Sequence, residues 1–385
     1  MIERRTLLKT LAALPLLAHA GLAAQGPRVA GARILLRDGR LWMQVRFGTR
    51  GPYAFIIDTG AWVNLIKRDV ARELGLRELR QIMGQGIGGT QAFTLYEGRD
   101  VSLGGVGIGT ADFAGYGPEL GFHPEAMGAL ATNVLTTADS DLDFDAGEWR
   151  IYPDGRGERP GFVQLPSEID RSATRVGSPP IILDTVIGSQ TYRLKMDTGA
   201  PLQILLDSTA TRRSGLWNDS VPYAPRRSSG IGGAGALNRT VRLPELRVGP
   251  IAFARPLVTL SDPGALGRTG MDGLLGLNLI QQMNLSTDVR ANRLWAMRNA
   301  VPAPPERYGL TGLWAEERDG HIVLVAVSPH SPASDAGLRV GDEIHDVPLG
   351  QWIRRLGGRP GTVVDIAYRR GGTAHTTRLT LREFL

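Results

Sequence analysis

A mostly β protein made of two similar lobes and a smaller terminal domain is what the sequence predicts. Three observations carry that expectation. The 385 residues include 50 Gly and 24 Pro, which mark many turns between short strands. Four landmarks recur in the same order in two halves of the chain. A Pro-rich stretch, "NAVPAPPER" from Asn299, then separates a last segment with a pattern of its own.

The chain opens with "MIERRTLLKTLAALPLLAHAGLAAQG", a basic head, a short apolar run and small residues suited to signal-peptidase cleavage, so residues 1–26 read as an export signal. Leu11 to Ala18 falls short of the ~20 apolar residues that span a bilayer, and no integral membrane span is expected in the mature chain. Arg4-Arg5 followed by Thr6-Leu7-Leu8-Lys9 resembles a twin-arginine signal. A periplasmic or secreted protein is therefore expected, with a retained N-terminal anchor as the alternative. The absence of cysteine excludes disulfides, thiol nucleophiles and thiolate metal sites. The six His form no pair at ligand spacing on a helix, so neither metal nor cofactor is expected. Formal charge is +6, and the arginines lie scattered in pairs such as Arg226-Arg227 and Arg369-Arg370, without the aromatic-lined stripe of a nucleic-acid binder.

The two halves, 29–153 and 163–298, are joined by a linker at 154–162. Each begins with a strand, a Gly-bearing turn and a strand, "FGTRGPYAFIID" and "VIGSQTYRLKMD". Asp-Thr-Gly-Ala follows, from Asp58 and from Asp197. Short helices are predicted next in "KRDVARELGL" from Lys67 and "DSTATRRSGL" from Asp207, with Gly75 and Gly215 at their C-terminal ends. Gly86-Ile87-Gly88-Gly89 comes 28 residues after Asp58, and Gly230-Ile231-Gly232-Gly233 comes 33 after Asp197. "GRDVSLGGVGIGTADF" and "TVRLPELRVGPIAFARPLV" alternate as strands do, and "GALATNVL" and "GLLGLNLI" close the halves. "LDTV" at Asp184 lacks the Gly and reads as strand or turn.

A carboxylate at the end of an apolar strand costs free energy unless donors or a neighbouring charge compensate it. One such Asp would pass as a turn residue. Two equivalent β units related by a pseudo-twofold axis, however, bring equivalent loops face to face. Asp58 and Asp197 would then meet and share one proton, making the pair acid and base at once. Gly60 and Gly199 would let backbone approach the carboxylates, while Thr59 and Thr198 could lock the loops across the interface.

The duplicated "DTGA", the "GIGG" segments and "GLLG" resemble the retropepsin-like aspartic proteases, in particular bacterial chains with two units fused, over residues 29 to 297. The resemblance implies two acid-protease β-barrel lobes forming an intramolecular pseudo-dimer, with Asp58 and Asp197 catalytic. It also implies that Gly86, Ile87, Gly88, Gly89, Gly230, Ile231, Gly232 and Gly233 form flap tips over a polypeptide substrate. Plain hairpin turns are the alternative for these glycines. Two departures stand out. The family's apolar-apolar-Gly is intact as Leu274-Leu275-Gly276 but reads Ala129-Leu130-Ala131 in the first half. Trp62 and Pro201 stand where the family more often has a small polar residue.

Residues 307–385, with "SPASDAGLRVGDEI", resemble a PDZ domain of the kind found in HtrA-type and tail-specific bacterial proteases. The resemblance implies an α+β unit that binds C-terminal or extended peptides, with a carboxylate loop at Tyr308, Gly309, Leu310, Thr311 and Gly312. The leading expectation is thus an exported aspartic endopeptidase. A non-catalytic peptide binder using the same cleft, and a site completed only by homodimerisation, remain open at this point.

Overall fold

The computed structural model describes residues 28–86, 89–118, 123–172, 177–230, 233–265, 270–345 and 347–385. Residues 1–26, expected as an export signal, lie outside them. Within them the chain is mostly strand, arranged as two similar lobes and a smaller C-terminal domain.

In the first lobe Arg40–Phe47 and Arg50–Ile57 form an antiparallel hairpin with Met43 opposite Phe55. Phe55, Ile56 and Ile57 are all buried, because this end of the strand also has a neighbour on its other side. That neighbour is Gly128–Leu130, which runs parallel to it with Ile57 opposite Leu130. Asn64–Lys67 then lies antiparallel along the far edge of the same three residues, Leu65 opposite Ala129. The chain therefore leaves a buried strand at Asp58, turns, and returns with one later strand clasped between its two arms. The second lobe repeats this, with Met196 and Asp197 parallel to Leu275 and Gly276, and Ile204 antiparallel to Leu275. Glycine opens both clasped strands for a steric reason. A methyl on Gly128 would lie 2.3 Å from the Leu65 carbonyl oxygen, and one on Gly273 would lie 1.9 Å from that of Leu205.

The predicted helices form at Arg68–Glu73 and Ser208–Ser214. Asp207 caps the second through the Ala210 N–H at 2.8 Å, and Gly75 and Gly215 end them in the left-handed region, each at φ +67°. Asp184 lies within the strand Ile181–Ile187. The long hairpins Arg77–Gly86/Gly89–Leu103 and Ala224–Gly230/Gly233–Arg242 pair as far as Gly86 with Gly89 and Gly230 with Gly233. Ile87, Gly88, Ile231 and Gly232 lie outside the described residues.

A six-stranded sheet ties the lobes together, in the order Ala30–Arg33, Glu148–Tyr152, Asp139–Asp143, Met283–Asp288, Arg293–Arg298, Val163–Gln164. Each half contributes three strands, and the halves meet antiparallel with Leu142 opposite Leu285. One cluster of buried side chains runs through both lobes, joining Phe55, Ile57 and Trp149 to Leu165, Met196 and Leu285. Residues 154–162, expected as a linker, are strapped onto this sheet. Arg156 bonds the buried carboxylate of Asp141 at 2.8 Å, and Arg159 reaches Ser286 Oγ at 2.9 Å and Asp139 at 3.1 Å.

The C-terminal domain is a five-stranded antiparallel sheet in the order Leu313–Arg318, His321–Val327, Glu343–Ile344, Val363–Arg370, Thr373–Thr380. Helices Pro332–Asp335 and Leu349–Arg355 pack on a separate core around Leu324, Trp352, Ile366 and Leu379. Within it the buried Asp342 takes two bonds from Arg370, at 2.7 and 2.8 Å. The domain docks on the second lobe. Its Ser328 hydroxyl accepts from the Tyr223 N–H at 2.8 Å, and Arg227 of the hairpin strand is ion-paired with Glu316. Among the described residues no helix is long and apolar enough to cross a membrane.

Candidate active site

Asp58 and Asp197 are each delivered by the buried end of a strand to the middle of the interface between lobes. The Asp58 N–H donates to the Leu130 carbonyl at 2.8 Å, so the clasped strand fixes the start of the turn. Asp58 Oδ1 accepts from the N–H groups of Gly60 at 3.0 Å and Ala61 at 3.2 Å, and Asp197 Oδ1 from that of Gly199 at 2.9 Å. The two carboxyl groups are half-buried and face each other across the interface, each packed on the glycine of the opposite loop, where a methyl on Gly60 would lie 2.3 Å from Asp197 Cγ and one on Gly199 2.3 Å from Asp58 Oδ1.

The expected interlock of the threonines is present and reciprocal. Thr198 Oγ1 accepts from the Thr59 N–H at 3.0 Å and donates to the Ile57 carbonyl at 2.7 Å. Thr59 Oγ1 accepts from the Thr198 N–H at 3.0 Å and donates to the Met196 carbonyl at 3.0 Å. Both side chains are fully buried, so no water competes for these bonds. Replacing Thr198 with Val keeps the volume but strands one buried N–H and one carbonyl. At ~1–3 kcal/mol per orphaned group, the variant is expected to lose roughly 3 kcal/mol of stability, readable in urea unfolding.

The lobes support their loops differently. In the second, the Gly276 N–H donates to the Gln203 carbonyl at 2.8 Å and the Leu277 N–H to that of Ala200 at 2.9 Å, all backbone. A methyl on Gly276 would lie 2.2 Å from the Leu202 carbonyl oxygen. In the first lobe the equivalent Ala131 is buried without displacing the Asp58–Leu130 bond. Side chains take over there: Asn64 Oδ1 accepts from the Ala131 N–H at 2.9 Å, and Thr132 Oγ1 donates to the Thr59 carbonyl at 2.6 Å. Trp62 follows directly, and a cavity of about 650 Å³ opens beside it, lined also by Ile82, Leu95, Asp112, Asn133 and Ser178. Pro201 is exposed and faces the Asp38-Gly39 turn of the other lobe.

Burial, and then the adjacent charge of Asp197, pushes the Asp58 carboxyl up to about 7. Burial raises Asp197 as well, and the Lys195 ammonium opposes the rise in both. Lys195 bonds the Gly60 carbonyl, and Arg40 bonds the Gly199 carbonyl at 2.5 Å. Asn64, Thr132, Arg40 and Lys195 were not singled out from sequence. Asn64 and Lys195 had a signal, a polar residue inside an otherwise apolar run, whereas Arg40 had none.

The hairpins place Gly86, Gly89, Gly230 and Gly233 at the ends of their paired arms. The loop Tyr308–Gly312 lies apart from the carboxyl pair, in the C-terminal domain. The chain's own end covers it: Tyr308 Oη accepts from the Phe384 and Leu385 N–H groups at 3.2 and 3.3 Å, and the two rings meet edge to face at 5.6 Å. Among the described residues no group of three or more His, Asp or Glu could hold a metal ion.

Two segments, residues 43–115 and 183–279, match the family model described as aspartyl protease. Each segment contains one Asp-Thr-Gly-Ala. The sequence similarity therefore falls on both halves and on both carboxylates. Among solved structures, a crystal structure of an aspartic proteinase from Irpex lacteus is similar with a TM-score of 0.42 and 13% identity, over 71% of this chain and 98% of that one. No curated protein matches the sequence closely enough to count as a relative.

Proposed function

We propose that the protein is an aspartic endopeptidase in which Asp58 and Asp197 share one proton and activate a water against a peptide bond. The observation that supports this reading is the facing carboxyl pair, one member from each Asp-Thr-Gly, with the two loops tied by the buried threonine interlock. The ionised carboxylate takes a proton from water as its oxygen attacks the peptide carbonyl. The protonated partner gives its proton to the carbonyl oxygen, and a neutral tetrahedral diol forms. One carboxyl then gives its proton to the amide nitrogen while the other takes a proton from a diol hydroxyl; the C–N bond breaks, acid and amine leave, and the pair again holds one proton. Thr59, Gly60, Thr198 and Gly199 keep the carboxyls positioned throughout. The substrate is an extended polypeptide lying under the two glycine-tipped hairpins, which act as flaps, with an apolar side chain in the cavity beside Trp62.

In the same reading residues 1–26 export the chain to the periplasm or beyond. The C-terminal unit is a PDZ-type module, and its loop Tyr308–Gly312 presents a peptide end once its own terminus is displaced.

The pH dependence tests the shared proton. With Asp58 pushed up to about 7 by burial and by Asp197, the proton is retained below that value and lost as pH rises through it. Cleavage of denatured casein is therefore expected to fall about tenfold per unit above pH 7. One statine-type transition-state analogue should bind per chain. Undiminished cleavage at pH 9, or two inhibitors per chain, would exclude the intramolecular pair.

A further inference from the structure

Two basic side chains reach across the lobe interface in opposite directions and end on equivalent atoms. Lys195, from the second lobe, donates to the carbonyl of Gly60 in the first. Arg40, from the first lobe, donates to the carbonyl of Gly199 in the second, at 2.5 Å. Duplication did not produce this symmetry. With Asp58 set against Asp197, the counterpart of Lys195 is Ile56 and that of Arg40 is Pro179. Two unrelated positions have supplied the same contact, one per loop.

The atoms they hold are one peptide group away from the carboxylates. The Gly60 carbonyl belongs to the peptide whose N–H, on Ala61, donates to Asp58 Oδ1 at 3.2 Å. The Gly199 carbonyl belongs to the peptide whose N–H, on Ala200, donates to the backbone carbonyl of Asp197 at 3.3 Å, while the Gly199 N–H itself donates to Asp197 Oδ1 at 2.9 Å. A cation on the carbonyl end polarises the amide and strengthens the bond at its N–H end. It also pins the loop at the residue where the carboxyl of the opposite lobe packs. A methyl on Gly60 would lie 2.3 Å from Asp197 Cγ, and one on Gly199 would lie 2.3 Å from Asp58 Oδ1.

We propose that Lys195 and Arg40 are positioning residues of the carboxyl pair. Each clamps the glycine carbonyl of the opposite Asp-Thr-Gly loop, and together they set the pH at which the pair exchanges its proton. This rests on the pair being the catalytic centre. The clasped strands and the residues that follow them contribute Leu130, Ala131 and Thr132 on one side and Leu275, Gly276 and Leu277 on the other, all neutral. Arg227 of the neighbouring hairpin is engaged by Glu316, and burial alone shifts its half-buried neighbour Arg226. Arg40 by contrast feels both carboxylates, and both carboxylates feel Lys195.

The sign follows directly. A nearby cation favours the ionised carboxylate, so removing it moves the titration of the pair to higher pH, by about one unit for an opposite charge this close. The test uses Lys195→Met, which keeps the methylenes and removes the charge, with Lys195→Arg as the conservative control. Aspartate carboxyl titration is followed by ¹³C NMR, alongside the pH profile of kcat/KM on denatured casein. Lys195→Met should shift both upward by about one unit and Lys195→Arg should restore them. An unshifted titration in a folded Lys195→Met protein overturns the proposal, even if activity drops, because a merely structural side chain would lower activity without moving the midpoint. Should Lys195→Met fail to fold, Arg40→Met carries the same expected upward shift and the same overturning result. The carboxyl titration needs no turnover. A wild-type chain that cleaves nothing would therefore remove the peptidase reading while leaving this proposal decided by NMR.

Discussion

Asp58→Asn is expected to lower kcat/KM on an unstructured polypeptide by at least about 10³-fold at pH 5, the upper part of the range for losing a positioned acid–base group. The amide cannot take a proton from water, and with one carboxyl left the pair cannot hold an acid and a base together. Folding should survive. The Asn carbonyl oxygen can still accept from the Gly60 and Ala61 N–H groups that bond Asp58 Oδ1. Stability carries a second signature. A carboxyl whose folded value is raised, as Asp58 is to about 7, stabilises the fold fully below the ordinary carboxylate range and loses that contribution as pH climbs through 7. Wild-type protein should thus lose melting temperature between pH 5 and pH 8, and the variant should lose less of it. Retained cleavage in a folded Asp58→Asn protein would remove the carboxyl pair from the chemistry.

The next largest effect is expected from a change that removes no functional group. Gly199→Ala would place a methyl 2.3 Å from Asp58 Oδ1, far inside contact distance, and the backbone there belongs to a loop held by Thr198 and Arg40. The loop cannot retreat without breaking those bonds, so the carboxyl of the other lobe has to move. A displacement near 1 Å costs about 10²-fold in rate, and that is the expected loss in kcat. The melting temperature should fall only modestly, since the threonine interlock and the six-stranded sheet stay in place. Gly60→Ala offers the mirror-image measurement, with its methyl 2.3 Å from Asp197 Cγ. Full activity in both alanine variants would mean that the carboxyls do not approach as described.

Much of this was legible from short-range pattern. The apolar strand ends before Asp58 and Asp197, the helices closed by Gly75 and Gly215, and the paired glycine hairpins all follow from rules that act over a few residues. The threonine interlock could be inferred because duplication implies a twofold axis, and an axis makes equivalent residues meet. Ala131 could not be judged from sequence. Whether a methyl fits there depends on how far the opposing loop has opened, and the answer lies in Asn64 and Thr132, which replace backbone support with side-chain bonds. Residues 154–162 read as a linker because Gly, Pro and charge dominate them. Their arginines are instead held by Asp139, Asp141 and Ser286 of the interlobe sheet, partners that no local pattern reveals.

By itself the sequence determined that the chain is a fused duplicate and that each copy ends a buried strand with a carboxylate. Local propensity and internal repetition are properties of neighbouring residues, and they are written in order along the chain. Only the tertiary structure decided what surrounds the two carboxyls. The Lys195–Gly60 and Arg40–Gly199 contacts join residues 135 and 159 positions apart, at places the repeat does not equate. Side-chain length and direction across an interface fix such contacts, and neither quantity exists until the two lobes have packed.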